Sequence, residues 1–177
     1  MFIIASGAVI MRKFLVVTGL IFGLLFSAGN FVFANDTIEK TQTIAEIGTL
    51  SNQGNYNDAL LRCKEAMKKY PNEADLYYWS ASIKTNLGDN KSALEDFNKA
   101  IKLNPKDGNA YVMRGIVKAE LGDNQGAISD FNKAIELNPK DSSAYSMRAC
   151  TKIDMGDIDG ANKDLELANK FFDEEWK

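Results

Sequence analysis

The chain has 177 residues, a formal net charge of −3, two cysteines and no histidine. A chain this long buries roughly two thirds of the surface it exposes when unfolded, so one domain is expected. Without histidine, general acid–base catalysis through imidazole and His-containing triads are excluded. Two cysteines are too few for a four-ligand zinc or iron–sulfur centre. Mild acidity without a run of Lys and Arg argues against nucleic-acid binding.

The first 34 residues form a separate compositional block, with 24 hydrophobic residues and two charges, Arg12 and Lys13. A basic pair, an apolar stretch from Phe14 to Phe26 and the small-residue ending Val32-Phe33-Ala34 have the three parts of a secretory signal peptide. Cleavage is expected after Ala34, ahead of the polar Asn35-Asp36, with a competing cut after Gly29. Met11, directly before Arg12-Lys13, is the expected initiator. Export to the periplasm or the extracellular space follows, and the alternative is an uncleaved membrane anchor through residues 14–34.

Beyond the leader the chain repeats with a period of 34. Residues 74–107 and 108–141 align without a gap and share 18 identities. The same spacing covers residues 40–73 before them and 142–175 after them. Each block places a glycine in its middle (Gly54, Gly88, Gly122, Gly156) and two alanines after it (Ala59 and Ala66, Ala93 and Ala100, Ala127 and Ala134, Ala161 and Ala168). In the third block Ala127, Ile128, Phe131, Ala134 and Ile135 form one helical stripe, and residues 111–121 before it read as another helix. Gly122 suits the left-handed position that ends a helix. Pro105 and Pro139 close the second helices, and Asp107 and Asp141 are candidate N-caps.

A 34-residue helix–turn–helix with this pattern resembles the tetratricopeptide repeat family. The resemblance is carried by Tyr77 and Tyr111 opening the first helices, Phe97 and Phe131 within the second, and the closing prolines. The outer blocks depart from it, with Thr43 and Cys63 in the first, Leu165 and Asp173 in the fourth. It implies an all-α, right-handed superhelical solenoid of four repeats. It also implies a concave groove, lined by the first helices, that holds a protein or peptide segment. Transferred to this chain, the groove includes Tyr78, Trp79, Ser82, Asn86 and Asn109, and then Val112, Met113, Ile116, Met147 and Cys150. Tyr78 and Trp79 are the expected anchors, with packing between helices as their alternative role. Phe171, Phe172 and Trp176 are expected to cover the last repeat's apolar face.

Charges recur at the seventh and twenty-third position of each block: Glu46 with Arg62, Ser80 with Asp96, Arg114 with Asp130, Arg148 with Asp164. The first pair reverses the signs, which points to a bridge between the paired helices, with Lys84 as the further partner of Asp96. Solvated charge is the alternative. Asp157, Asp159, Gly160 and Glu166 imitate a calcium loop, but Met155 stands at its first ligand position and the repeat register makes Ala161 to Glu166 helical. No metal or cofactor is expected. Stacked blocks hold Cys63 and Cys150 too far apart for a disulfide, Cys63 in the core and Cys150 in the groove. The expected function is a non-enzymatic adaptor or scaffold. The alternative is a structural, self-associating subunit of an envelope complex.

Overall fold

The structure is a computed structural model that describes residues 36–175. The expected leader, its expected cleavage site and Trp176 lie outside the described residues. Residues 36–42 belong to a first unit, and a second begins at Thr43. Helix α1 occupies residues 36–52. It is followed by α2 (Tyr56–Lys69), α3 (Ala74–Asn86), α4 (Asn90–Leu103), α5 (Gly108–Glu120), α6 (Asn124–Leu137), α7 (Ser142–Asp154) and α8 (Ile158–Glu175).

Local chemistry explains where each helix stops. Gly54, Gly88, Gly122 and Gly156 all have φ between 79° and 85°, the left-handed conformation in which a Cβ is penalised. The amide of the residue after each of the last three donates back into the preceding helix, as Asp123 N does to Lys118 O at 2.9 Å. No atom lies within 4 Å of a Cβ built on Gly122, so the restriction there is conformational alone. Gly122→Ala is therefore expected to cost about 1 kcal/mol, read by urea denaturation, with no loss of helix content by circular dichroism.

The aspartate after each of these three glycines, together with Asp107 and Asp141, caps the following helix. Asp107 Oδ1 accepts from Ala110 N at 3.3 Å, and Asp141 Oδ1 from Ala144 N at 2.9 Å. Helix α4 ends at Leu103 and α6 at Leu137, two residues before Pro105 and Pro139.

The core is built along the stack from alanines and a few large side chains. Phe97 is enclosed with Ala81, Ala93 and Val117, and Phe131 with Val112, Ala127, Ala134 and Ala144. Cys63 takes the equivalent place beside Ile47, Ala59 and Leu76. Gly115 is small because Phe131 needs the room: a Cβ there would meet Phe131 Cε1 at 2.7 Å.

Each helix packs mainly against its neighbours in sequence. In addition α3 touches α5 and α5 touches α7, whereas α2, α4, α6 and α8 make no such contacts with one another. First helices are thus closer together than second helices, which curves the stack of α2 to α8 toward the first helices and makes the arrangement a superhelical solenoid.

Phe171 stacks on Tyr145 with ring centroids 5.6 Å apart and helps to close the last repeat. Phe172 is 55% exposed. No helix among the described residues is long and apolar enough to cross a membrane.

Candidate functional site

The face bounded by α3, α5 and α7 is where the curvature makes a groove, and it separates the expected lining residues into two groups. Ser82, Met113, Ile116 and Met147 are half-buried, and Asn86, Asn109 and Cys150 are exposed. Val112 does not line the groove. It is buried in one cluster with Phe131 of α6 and Ala144 of α7.

Tyr78 and Trp79 are both half-buried, and packing accounts for a large part of each. The Trp79 ring lies over Gly48 of the preceding repeat, where a Cβ would sit 3.0 Å from Cζ2. Tyr78 meets Trp79 edge-on at 6.0 Å and Phe97 at 5.9 Å. Burial raises the Tyr78 pKa, with the Asp107 carboxylate adding to the shift, so the phenol stays neutral.

Between α5 and α7 the groove deepens into a hollow of about 220 Å³. Ile116, Ala119, Met147 and the edge of Phe131 supply apolar walls, and Glu120 and Asp154 carry carboxylates at equivalent places in successive repeats. Cys150 also lines it, while Cys63 is buried, and both thiols are free. Burial drives the Cys63 pKa up to about 12, with the Asp96 charge contributing, so it is an inert thiol at neutral pH. An apolar hollow with acids at its rim can seat an apolar side chain flanked by basic ones.

A second set of residues ties the repeats together. Arg114 holds Asp130 with two bonds, Nε to Oδ2 at 2.8 Å and Nη2 to Oδ1 at 2.6 Å, and Lys118 Nζ reaches the same carboxylate at 2.8 Å. Arg148, Lys152 and Asp164 repeat the arrangement. Each arginine also donates Nη1 to an asparagine of the preceding repeat, Asn98 or Asn132. Each guanidinium stands within 5.5 Å of a tyrosine ring centroid, Tyr111 or Tyr145.

The pairs read from the sequence are therefore present, including the reversed Glu46–Arg62 bond at 2.8 Å and the Ser80 and Lys84 bonds to Asp96 at 2.6 Å. The asparagines were missed, and so were Lys118 and Lys152. The signal for the lysines is their recurrence four residues after each arginine, which puts both cations on one helix face.

Comparison with known proteins agrees with this architecture. Tetratricopeptide repeat family models match residues 74–107 and 108–141, and a second such model matches residues 131–161. Those segments are tetratricopeptide repeats. No curated protein matches the chain. Among solved structures, one of MamA superposes with a TM-score of 0.71 at 24% identity, covering 77% of this chain and 80% of that one. A thermophilic tetratricopeptide repeat protein of Thermus thermophilus, TTC0263, gives 0.69 at 22% identity, over 76% and 75%. The pilF protein of Pseudomonas aeruginosa gives 0.70 at 18% identity, over 75% and 60%. These likenesses establish the fold.

Proposed function

We propose that this chain is a non-enzymatic adaptor, exported by its N-terminal leader, that holds an extended segment of another protein along the groove formed by α3, α5 and α7. The observation that carries the reading is the hollow between α5 and α7, an apolar floor between two carboxylates on the face toward which the stack curves. It favours a segment with an apolar residue beside basic ones.

Cys150 provides the test. As the exposed thiol of the two, it takes a maleimide photo-crosslinker selectively. Labelled protein, irradiated in envelope extract, is expected to yield a discrete set of adducts by mass spectrometry. A control labelled at Lys91→Cys in a Cys150→Ser background, outside the groove, should lack them. Ile116→Glu should remove them while leaving the circular dichroism unchanged. Identical adducts from both label positions would refute the groove. Export is tested separately: N-terminal sequencing of the mature protein is expected to begin at Asn35.

A second reading, a self-associating structural subunit, draws on the turn between α7 and α8. Ile153, Met155 and Ile158 stand exposed together there, whereas the turn between α3 and α4 has Thr85, Leu87 and Asn90 at the matching places. Light scattering decides between the two: a monodisperse monomer supports the adaptor. An oligomer that dissociates on Met155→Glu supports the subunit.

A further inference from the structure

The repeated charge network is incomplete at one junction, and a cavity marks the place. In the third and fourth repeats an arginine enters from the first helix, binds the aspartate of the second helix with two bonds, and donates to an asparagine of the preceding repeat. In the second repeat Ser80 stands at the arginine position. Its hydroxyl and Lys84 Nζ both bind Asp96 Oδ2, while Oδ1, the counterpart of the oxygen that receives Nη2 elsewhere, accepts from no described residue.

Asp96 is accordingly 18% exposed, against 5% for Asp130 and 3% for Asp164. A cavity of about 320 Å³ opens over it among α2, α3 and α4, with Leu60, Leu61 and Met67 along its apolar side. Leu61 is 58% exposed, so the apolar wall continues to the surface.

We propose that this cavity is a binding site for an arginine side chain of a partner protein, which docks its guanidinium on Asp96 and lays its aliphatic stem along Leu60, Leu61 and Met67. The chain supplies two internal templates for the geometry, Arg114 on Asp130 and Arg148 on Asp164. Both also contain the lysine that corresponds to Lys84, so this frame accommodates a guanidinium beside an ammonium around one carboxylate. Guanidinium is favoured over ammonium because the open oxygen needs a planar donor that reaches it past an oxygen already doubly engaged.

One difference sets the strength. Lys64, on the cavity wall, occupies the position where Asn98 and Asn132 provide the extra acceptor. The docked group therefore lacks that bond and faces a further cation, which makes the site weak and salt-dependent. The site lies among α2, α3 and α4, shares no lining residue with the hollow between α5 and α7, and does not rest on the adaptor reading.

The test uses the full chain and a Leu-Arg-Leu-amide peptide carrying fluorescein on its N-terminus, followed by anisotropy at low salt. Saturable binding is expected. It should weaken about tenfold or more when citrulline or lysine replaces the arginine, and likewise for Asp96→Asn. Lys64→Asn should tighten it several-fold. Ser80→Arg places a guanidinium from within, and should abolish peptide binding while raising the melting temperature, which separates occlusion from misfolding.

No saturable binding of the arginine peptide, equal binding of the citrulline or lysine peptide, or binding that survives Ser80→Arg would overturn the proposal. Sedimentation of the chain alone distinguishes the source. A dimer that Ser80→Arg dissociates would assign the arginine to a second copy and overturn the partner-protein form.

Discussion

Replacing Phe131 with alanine is expected to lower the free energy of unfolding by about 3–5 kcal/mol, read from the urea midpoint at unchanged slope. Phe131 is 1% exposed, and the small residues on one side of it cannot collapse into the space it leaves. Gly115 has no side chain to advance, and Ala127, Ala134 and Ala144 are too short to reach across. The loss therefore falls toward the upper end of that range.

The same contact gives a coupling test. Gly115→Ala alone should destabilise by roughly 1–2 kcal/mol, because its Cβ meets the Phe131 ring edge inside van der Waals distance and overpacking outweighs the gain in helix propensity. In the Phe131→Ala background that obstacle is gone, and Gly115→Ala should become neutral or stabilising. Additive effects of the two substitutions would show that Gly115 is small for another reason.

How far the sequence disclosed this molecule depends on the kind of residue asked about. The 34-residue period exposed the helix pairs, because Gly88 and Gly122 at φ near 80° and the aspartates that follow them are local requirements visible wherever they recur. The bridges were legible for a related reason. A sign reversal between Glu46–Arg62 and Arg114–Asp130 is a pairwise constraint, and it implies contact without any knowledge of geometry.

The groove was less legible. Helix α5 packs against α4, α6, α3 and α7, so apolar residues appear on most of its faces. No single stripe separates core from lining, and Val112 and Ile116 look alike until their neighbours are placed. Trp79 is ambiguous in the same way, since the residue that explains it, Gly48, lies 31 positions earlier in the preceding repeat. The cavity over Asp96 was hidden by a different effect. Ser80 is an unremarkable residue by itself and becomes informative only beside Arg114 and Arg148 in the same frame.

The second large effect is expected at Asp164. Its side chain is 3% exposed and receives Arg148 and Lys152, themselves 16% and 22% exposed. Asp164→Ala would leave two cations largely out of water with no counter-charge, a change that costs about 3–5 kcal/mol when a buried pair loses one partner. Glu46→Ala breaks a pair of the reversed sign whose side chains are 53% and 37% exposed, and it should cost no more than about 1 kcal/mol.

The charge at Asp164 also makes stability depend on acid. Burial opposes ionisation of Asp164, but the hydrogen bonds from Arg148 and Lys152 outweigh it and hold its pKa below the usual carboxylate value. With the folded pKa lower than the unfolded one, the stabilisation is fully present above about pH 4, and it drains away as the pH falls through the folded pKa. Thermal unfolding of wild type and Asp164→Asn, followed from pH 6 to pH 2, should therefore converge at the acid end. The variant lacks the titrating group and loses less stability over that interval. Parallel curves across the whole range would mean that the carboxylate of Asp164 contributes shape to this junction and its charge contributes nothing.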